Sequence, residues 1–470
     1  MKERQKGRYV IFGAARSGLA ALRLLCSKGR STLLIDEKQG TSLPEPAADP
    51  AECDVTFLLG EDFNKYDPEP GDILVLSPGV PLDHPLVQRA REKEIPITGE
   101  LEIGSHFSKA MLVSITGTNG KTTTVNLAVS ILKQAGMNAA AAGNVGTPLC
   151  RVVNDPSINR PDSVLVVETS SYQLETVKDF HPRVAALLNI SPDHLARHGA
   201  MEEYTAAKFR VTENQVPDDI LILNAGDPAC RILGRKTRAK LLWFSTKGPV
   251  EKGAFIEEGN LFLQTEEKKL LMGIDEIPLP GRHNVENVLA AALVGACFGV
   301  KPVDVARAVR SFRGVKHRLE FVRNFRGVDF YNDSKATNLD SLEKALESFT
   351  RPLILICGGK HKGDDYTRIR NLVSDRVKHL VFIGEAAPLM EQAWKGLVPG
   401  SRAGSIQEAV EQAFGYAAPG DLVLLSPGCS SFDAFRDFEE RGNVYKTEVT
   451  RFIDRLETVQ EEMSTRGRSQ

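Results

Sequence analysis

Short apolar segments alternate with amphipathic segments over residues 8–108. Apolar runs of strand length occur at 8–13, 31–36, 54–59, 72–77 and 95–98. Between them, apolar residues recur at helical spacing over 17–28 and 83–93. Strands that alternate with helices usually form a parallel sheet that the helices cover. The pattern therefore predicts a compact α/β domain in the first part of the chain.

A second block with the same alternation follows. Residues 111–113 form a short apolar run, and 163–168 and 184–189 have the uninterrupted apolar character of buried strands. Residues 255–263 carry the pattern of a β-hairpin, which we interpret as a small antiparallel insertion. Helices at 284–298 and 302–312 are predicted to close this block.

A third α/β block begins near residue 314, with its clearest strands predicted at 352–357, 379–383 and 421–425. Together the three blocks predict domains at 1–109, 110–313 and 314–470. A chain of 470 residues is too long for one ordinary hydrophobic core, which agrees with this division.

Composition excludes several classes of protein. The hydrophobic fraction of 42%, the charged fraction of 26% and the net charge of −2 are those of a globular enzyme. A nucleic-acid-binding protein would need a basic face, which these interspersed charges do not provide. The longest apolar run, 288–300, is too short to span a bilayer. We expect a cytoplasmic monomer with no nucleic-acid or membrane partner.

The cysteines favour a reducing compartment. They are odd in number and scattered, and no two of them have the C-x-x-C spacing. We therefore expect neither a disulfide framework nor a zinc ribbon. The seven positions are Cys26, Cys53, Cys150, Cys230, Cys297, Cys357 and Cys429.

The segment 117–122, Gly-Thr-Asn-Gly-Lys-Thr, has the layout of a nucleotide phosphate site. It follows an apolar run and precedes a helical pattern, so backbone N–H groups and a helix N-terminus would face phosphate oxygens. Lys121 would reach the terminal phosphates and the Thr122 hydroxyl would bind Mg²⁺. The loop is shorter than the common phosphate loop, because Ile115 stands where that pattern has glycine. The alternative is a Gly-Lys-Thr sequence in an ordinary turn.

A second glycine loop, 13–18, follows the first predicted strand, and Asp36 ends the second. The arrangement is similar to a dinucleotide fingerprint, but Ala15 replaces the middle glycine. The helix N-terminus could bind a diphosphate, and Asp36 could accept hydrogen bonds from a ribose or base. NAD, a nucleotide sugar and no ligand at all remain alternatives here.

Polar residues follow several other predicted strands. Glu168 ends a buried strand and could bind Mg²⁺ beside the phosphate loop, or it could precede an ordinary helix cap. The segment 189–194 follows the next strand. In the third block, the polar segments 333–338, 358–363 and 426–433 each follow a strand, and 426–433 is predicted to open a helix. Together they favour a site for an anionic ligand, although each alone could be a cap.

In combination these motifs resemble the Mur ligases, the ATP-dependent amide ligases of peptidoglycan precursor synthesis. The resemblance runs in matching order from about residue 8 to about residue 450. Three of the motifs, at 77–79, 333–338 and 430–433, are similar to those of the branch that adds D-glutamate. The segments that carry the family resemblance are 117–122, 168–171, 193–194, 281–284, 317–318, 333–338 and 426–428.

The resemblance implies a fold and a reaction. The fold would be a three-domain α/β structure: a Rossmann-like N-terminal domain that binds a UDP-sugar, a central ATPase domain with a mostly parallel sheet, and a Rossmann-like C-terminal domain for the amino acid. ATP would phosphorylate UDP-N-acetylmuramoyl-L-alanine, and the amine of D-glutamate would attack the acyl phosphate. Catalysis of this kind is mostly positioning and charge neutralisation.

The resemblance also implies residue roles. Lys121, Glu168, His194 and Lys208 would be catalytic. Thr122 and Glu168 would hold one Mg²⁺, and His194 and a carbamylated Lys208 a second. The expected ATP contacts are Gly117, Thr118, Asn119, Gly120, Lys121, Thr122, Thr123, Asn284, Asn287, Arg318 and Asp333.

The two other substrates have their own expected contacts. The UDP-substrate contacts are Arg16, Ser17, Asp36, Gly79, Asn144, Ser170 and His194. The D-glutamate contacts are Lys335, Thr337, Lys362, Ser431 and Phe438. Arg16 and Glu37 depart from the family pattern, since Glu37 would repel a diphosphate unless it points away.

Other functions explain less of the chain. An NAD oxidoreductase leaves the loop 117–122 unexplained, and a P-loop motor or switch protein leaves the basic, serine-rich third block unexplained. Within ligases, the alternatives are the members that add L-alanine or a diamino acid, and folylpolyglutamate synthetase. Amino-acid selectivity separates these.

Overall fold

The computed structural model describes residues 7–38, 53–144, 146–193 and 195–467. These residues divide into two compact units. The first comprises the chain up to residue 277 together with 285–312, and the second comprises 278–284 together with the chain from 313 onward.

The first sheet of the first unit is entirely parallel, with strand order β3-β2-β1-β4-β5 in its described part. Its strands are β1 Arg8–Phe12, β2 Thr32–Asp36, β3 Val55–Leu59, β4 Asp72–Leu76 and β5 Ile97–Gly99. Its helices are α1 Arg16–Ser27, α2 Pro85–Glu92 and α3 Glu100–Phe107. The predicted parallel sheet is confirmed, with element ends shifted by one or two residues.

The second sheet of this unit is larger, with described strand order β14-β13-β12-β11-β10-β9-β6-β8-β7. Its strands are β6 Met111–Thr116, β7 Asn138–Gly143, β8 Ser163–Glu168, β9 Val184–Leu187, β10 Ile220–Asn224, β11 Lys240–Ser245, β12 Gly253–Glu257, β13 Asn260–Gln264 and β14 Lys268–Gly273. The surrounding helices are α4 Lys121–Gln134, α5 Leu149–Val153, α6 Ser171–Leu174, α7 Leu195–His198, α8 Met201–Phe209, α9 Pro228–Gly234, α10 Arg282–Cys297 and α11 Pro302–Ser311.

The predicted hairpin exists as β12 and β13, but it is not a separate insertion. Strand β12 pairs in parallel with β11, and β14 adds a further antiparallel strand beyond β13. The hairpin therefore extends the main sheet, because β12 provides a free edge on which antiparallel strands can continue.

Helices cover both faces of the second sheet. Alternate residues of a strand point to opposite faces, so Leu165 and Val167 join one hydrophobic cluster, while Val164 and Val166 join another. This explains why β8 is apolar at consecutive positions: every one of its residues is buried.

The second unit contains a third sheet, with described strand order β15-β16-β20-β17-β18-β19. Only the β15–β16 pair of this sheet is antiparallel among the described strands. The strands are β15 Glu320–Phe325, β16 Val328–Asn332, β17 Leu353–Gly358, β18 Val377–Ile383, β19 Gly400–Arg402 and β20 Leu422–Leu425. The helices are α12 Leu339–Glu347, α13 Arg370–Arg376, α14 Ala387–Ala393, α15 Ile406–Tyr416 and α16 Phe438–Gly467.

Two expectations need correction. The structure pairs Cys26 with Cys53 in a disulfide whose Cα atoms are 5.3 Å apart, although the sequence indicated no disulfide. The end of α1 and the residues before β3 meet only because of the crossover topology, which cysteine spacing does not reveal. The second correction concerns 426–433, which does not open a helix, since α16 begins at Phe438.

No helix in the described ranges combines the length and the apolar content that crossing a membrane requires.

The two sheets of the first unit share a buried junction at Glu100, the first residue of α3. Glu100 is only 2% exposed. Its Oε1 accepts a hydrogen bond from the backbone N–H of Cys150 at 2.6 Å. No group in the described part of the chain hydrogen-bonds to its buried Oε2. Burial raises the pKa of this carboxyl to about 7.

The folded protein should lose unfolding free energy as the pH rises past neutrality, and replacing Glu100 with glutamine should reduce that loss. The pKa of Glu100 is about 7 in the folded protein, whereas the ordinary pKa of an exposed glutamate is 4.5, so raising the pH through this interval ionises the unfolded chain first and destabilises the fold. Glutamine keeps an acceptor for the Cys150 N–H and does not ionise. Between about pH 5 and about pH 8, the variant should lose on the order of 3 kcal/mol less unfolding free energy than the unsubstituted protein.

Urea unfolding at these two pH values measures the difference. Glu92 is exposed, so Glu92→Gln is a matched control that should keep the original pH dependence. Equal losses in Glu100→Gln and the unsubstituted protein would contradict the prediction.

Candidate active site

Polar segments from adjacent strands of the second sheet meet at one edge. Strand β6 lies between β8 and β9, and β8 also pairs with β7. All these pairings are parallel, so the carboxyl ends of the strands lie side by side. The loop 117–120, Glu168, Asn144 and the segment 188–193 are therefore brought together at the edge where open α/β sheets bind ligands.

The loop between β6 and α4 depends on its glycines. Gly117 and Gly120 have φ values of +146° and +86°, which residues other than glycine rarely adopt. A Cβ on Gly120 would also lie 2.2 Å from Asn287 Oδ1. Asn287 Oδ1 accepts a hydrogen bond from the Thr124 hydroxyl at 3.2 Å, so Asn287 packs directly against this loop.

The same loop is held from the side of β9. The Asn119 N–H donates to Asn189 Oδ1 at 2.9 Å, and the Asn189 amide returns a bond to the Asn119 carbonyl at 3.2 Å. The Thr118 hydroxyl accepts from the Ser191 N–H at 3.0 Å. These bonds preorganise the loop backbone before any ligand binds.

Two lysine side chains converge on one carbonyl of the loop. Lys121 Nζ donates to the carbonyls of Gly117 and Thr118 at 2.8 and 2.7 Å. Lys208 Nζ, from α8, donates to the same Gly117 carbonyl at 2.9 Å.

Lys208 is in an unusual environment for a cation. It is 2% exposed, and its Nζ lies 4.7 Å from the centre of the Tyr204 ring. Burial and the nearby charge of Lys121 hold the pKa of Lys208 well below its usual range, with Asp193 and Glu168 acting in the opposite direction. A neutral amine is therefore accessible to Lys208 at a pH where an exposed lysine is protonated.

Glu168 is also buried, at 2% exposed. Its Oε1 accepts from the Asn144 side-chain amide at 3.1 Å, and its carbonyl accepts from the Asn144 N–H at 2.9 Å. Ser170 begins α6 with a reciprocal capping box to Gln173. His194 lies outside the described residues.

In the first sheet, Asp36 stabilises the loop 13–18. Its Oδ2 accepts from the Ala14 N–H at 2.7 Å and its Oδ1 from the Lys38 N–H at 2.9 Å. Arg16 and Gly79 are exposed and Ser17 is half-buried at the same edge. Glu37, which departs from the family pattern, lies 3.3 Å from His84 Nε2.

The second unit has a buried carboxyl among the predicted ATP contacts. Asp333 Oδ2 accepts from the Ser426 hydroxyl at 2.8 Å and Oδ1 from the Leu319 N–H at 3.2 Å. Burial raises the pKa of Asp333 to about 6, against the opposing effect of the Arg318 charge.

Another predicted ATP contact of this unit, Asn284, hydrogen-bonds within its own segment. The Asn284 side chain donates to the Pro280 carbonyl at 2.6 Å.

The predicted D-glutamate residues lie on loops that contact one another. The Lys360 N–H donates to the Ser430 carbonyl at 2.9 Å, and the Ser334 hydroxyl donates to the Phe438 carbonyl at 2.8 Å. Lys335 Nζ is 5.9 Å from the centre of the Phe438 ring. Ser431 is buried, Thr337 is half-buried and Lys362 is exposed.

Sequence reasoning missed Arg441, which is 1% exposed and contacts two of these loops. Its burial could have been predicted from its spacing, because Arg441 precedes the apolar residues Tyr445, Val449 and Ile453 at four-residue intervals and therefore lies on the same face of the helix. All three of these residues are fully buried.

Comparison with known families and proteins agrees with this architecture. The Mur ligase MurD-like N-terminal domain matches residues 7–99, the Mur ligase middle domain 115–295, and the Mur ligase glutamate ligase domain 317–429. The UDP-N-acetylmuramoylalanine–D-glutamate ligase of Acidobacterium capsulatum is 43% identical over 449 residues, covering 94% of this chain and 96% of that protein.

Solved structures share the fold at low identity. The UDP-N-acetylmuramate–alanine ligase of Thermotoga maritima aligns with a TM-score of 0.59 and 18% identity, covering 96% of this chain and 100% of that one. The MurF ligase of Thermotoga maritima, solved in complex with ADP, aligns with a TM-score of 0.58 and 16% identity over 96% of each chain.

These matches confirm the predicted fold class, three α/β domains of the Mur ligase type with mostly parallel sheets. The chain belongs to the Mur ligase family, and within it to the UDP-N-acetylmuramoylalanine–D-glutamate ligases.

Proposed function

We propose that this protein joins D-glutamate to UDP-N-acetylmuramoyl-L-alanine at the expense of ATP, in peptidoglycan precursor synthesis. The observation that carries the proposal is the edge of the second sheet, where Lys121, Lys208 and Glu168 surround a preorganised glycine loop. The match to a ligase of this name, which covers 94% of this chain, supports the choice of substrates.

The reaction has two steps. An oxygen of the alanyl carboxylate attacks the γ-phosphorus of ATP, the bond to the bridging oxygen breaks, and ADP leaves. The amine of D-glutamate, after losing a proton, attacks the carbonyl carbon of the acyl phosphate to form a tetrahedral intermediate. The intermediate loses a second proton from its nitrogen, and its collapse forms the amide and expels phosphate, which is a far better leaving group than the oxide of a free carboxylate.

In the first step, the loop 117–120 binds the phosphates of ATP through its backbone N–H groups. Lys121 exchanges its two carbonyl acceptors for phosphate oxygens and stabilises charge on the transferring group. Thr118, Asn119 and Thr123 belong to the same binding segment. Asn284, Asn287, Arg318 and Asp333 complete the proposed ATP contacts.

The oxygen donors at this edge fit Mg²⁺. Glu168 presents a buried carboxylate, and Thr122 presents a hydroxyl on the first turn of α4. When bound, Mg²⁺ neutralises charge on phosphate oxygens. We propose Thr122 and Glu168 as ligands of one ion, and His194 and Lys208 as ligands of a second.

Lys208 fits the second ion only after modification, because an ammonium repels a cation. The lowered pKa of Lys208 supports a carbamate: the neutral amine attacks CO₂, forms a nitrogen–carbon bond and releases one proton. The product carries a negative charge and two oxygens that can bind a metal. It would also remove the repulsion between Lys208 and Lys121.

The UDP-substrate binds at the ends of the first and second sheets. Arg16, Ser17, Asp36 and Gly79 serve its nucleotide part, while Asn144, Ser170 and His194 serve the muramoyl and alanyl parts. The contact between Glu37 and His84 supports this assignment, since it engages the acidic side chain that would otherwise repel a diphosphate.

The loops of the third sheet bind D-glutamate. Lys335, Thr337, Lys362, Ser431 and Phe438 form the pocket, and Lys362 pairs with a carboxylate of the amino acid.

The domains of this proposal are 1–109 for the UDP-sugar, 110–313 for ATP and 314–470 for the amino acid. The three family matches fall within these ranges, which supports the division. The protein acts as a cytoplasmic monomer with Mg²⁺ and without nucleic-acid or membrane partners.

Phosphate release should depend on D-glutamate. With ATP, Mg²⁺ and UDP-N-acetylmuramoyl-L-alanine, adding D-glutamate should start steady release, whereas L-glutamate, L-alanine or a diamino acid should not. Release with another amino acid would preserve the ligase mechanism and overturn the pocket assignment. If no amino acid supports release, nicotinamide binding at the loop 13–18 becomes the alternative to test.

Replacing Glu168 with glutamine should weaken the response to Mg²⁺. Glutamine keeps the shape of the side chain but loses its charge, so the Mg²⁺ concentration for half-maximal phosphate release should rise about tenfold to a hundredfold. The exposed Glu203 provides the control, and Glu203→Gln should titrate like the unsubstituted protein. Chelation of Mg²⁺ should abolish activity in all three proteins, and activity that persists without divalent ions would contradict the proposal.

Replacing Lys208 with alanine should reduce kcat at least about a hundredfold, because a charged ligand is lost from the site. Short carboxylates should partly restore activity by supplying the missing oxygens. The exposed Lys178 offers a control, and Lys178→Ala should keep normal kcat. ¹³C-labelled bicarbonate should give a carbamate carbon signal in the unsubstituted protein and none in Lys208→Ala. Near-normal kcat in Lys208→Ala would refute the carbamate assignment.

A further inference from the structure

Arg441 is a buried cation on the first turns of α16. Its side chain lies on the apolar face of the helix, in line with Tyr445 and Val449, and is only 1% exposed. Arginine is rarely buried to this extent without a specific set of partners. The groups to which Arg441 donates therefore indicate what its buried guanidinium does.

The guanidinium joins two loops of the second unit. Its Nε donates to the Ser334 hydroxyl at 3.0 Å and its Nη2 to the Ser334 carbonyl at 2.8 Å. Both terminal nitrogens donate to the Cys429 carbonyl at 3.2 Å, and Nη1 also reaches the Ser430 carbonyl at 3.2 Å.

A third loop approaches the same guanidinium at Gly359. A Cβ at this position would lie 3.0 Å from Arg441 Nη1 and 2.4 Å from the Ser430 carbonyl oxygen. Gly359 also has a φ of +136°. Only glycine gives the loop that carries Lys362 this close approach.

Every one of these acceptors is a neutral oxygen. Within the described residues, no carboxylate lies at ion-pair distance from Arg441. Burial lowers the pKa of Arg441 to about 10, and the more distant Asp433 and Asp333 act against that effect. The side chain therefore keeps its positive charge near neutral pH. In a buried environment such a charge is weakly screened and acts over several ångströms.

The loops that Arg441 holds are those of the proposed amino-acid pocket. Ser334 is adjacent to Lys335, and Ser430 is adjacent to Ser431. Displacement of either loop would move residues proposed to contact D-glutamate, and a misplacement of about 1 Å can greatly reduce catalysis.

We propose that Arg441 is the positioning residue of the D-glutamate pocket. It holds the loops of Ser334 and Cys429–Ser430 in one arrangement against the closely packed Gly359, and its unpaired charge favours an amino acid with two carboxylates. This inference rests on the proposed function, because it assumes that these loops bind D-glutamate.

Arg441→Met and Arg441→Lys separate the two contributions. Methionine removes the hydrogen bonds and the charge, while lysine retains the charge but lacks the planar set of donors. Ser334→Ala removes the hydroxyl that accepts from Nε and donates to the Phe438 carbonyl, and it leaves the carbonyl acceptors of Arg441 in place.

Two control substitutions on the same helix show how much a general loss of stability, or the loss of any arginine, changes the KM values. Val449→Ala creates a cavity in the buried face two turns further on, and Arg451→Met removes an exposed arginine. For each protein, steady-state kinetics give kcat and the KM values for D-glutamate and ATP, and thermal unfolding gives Tm.

The KM for D-glutamate should rise about a hundredfold in Arg441→Met and about tenfold in Arg441→Lys, as expected for lost buried hydrogen bonds to a charged group. Ser334→Ala should raise this KM by less than Arg441→Lys does. The KM for ATP should change by less than about threefold in all of them, because the phosphate loop is untouched and Asp333 keeps its hydrogen bonds from Ser426 and from the Leu319 N–H. Val449→Ala should lower Tm without raising the KM for D-glutamate selectively, and Arg451→Met should change neither.

An unchanged KM for D-glutamate in Arg441→Met, or equal rises in the KM values of D-glutamate and ATP, would overturn the inference. If Arg441→Met fails to fold, Arg441→Lys and Ser334→Ala decide it by the same criteria. Failure of the unsubstituted protein to turn over D-glutamate would refute the proposed function and this inference with it. Turnover of D-glutamate with no selective KM change in the variants would refute the role of Arg441 alone.

Discussion

Two lysine side chains donate to the same carbonyl, that of Gly117, at the end of β6. This edge of the second sheet depends on the arrangement, because the buried ammonium group of Lys208 and the half-buried ammonium group of Lys121 repel each other. Lys121 begins α4, where the helix N-terminus also disfavours a cation. The repulsion can be relieved by an anionic ligand, by loss of a proton from Lys208, or by both. The proposed phosphate binding and the proposed modification of Lys208 would thus be two responses to one electrostatic constraint.

The surrounding sheet makes this constraint possible. Strand β6 is flanked by β8 and β9, so that Glu168 and the segment after β9 approach the loop from both sides. Asn189 fixes the loop backbone through two hydrogen bonds, which keeps the Gly117 carbonyl in place for both lysines. The parallel part of this sheet is stable because both of its faces are covered by helices, as the uniform burial of β8 illustrates. Strand order, rather than any single side chain, therefore determines which charges meet.

Sequence reasoning predicted the features that are local. Apolar runs indicated the parallel strands, and the spacing of glycines and Lys121 indicated the turn from β6 into α4. It was wrong about the disulfide between Cys26 and Cys53, because the crossovers that bring them together leave no trace in their spacing. It was also wrong to begin a helix at 426–433. The Asp437 carboxylate caps α16 by accepting the Glu440 N–H, while the Ser426 hydroxyl is engaged by Asp333.

The burial of Lys208, a residue that only the family resemblance had singled out, and the burial of Arg441 show why the remaining features needed three-dimensional structure. In the sequence each is one cation in a helix with other charged residues, a pattern typical of a solvated surface. In the fold both are buried, and their chemistry leads to different outcomes. A lysine ammonium with one carbonyl acceptor is poorly compensated, so its pKa falls well below the usual range. The planar guanidinium of Arg441 distributes its charge over five hydrogen bonds and stays protonated. A site that needs a reactive amine is therefore served by lysine, and one that needs a permanent positive charge is served by arginine.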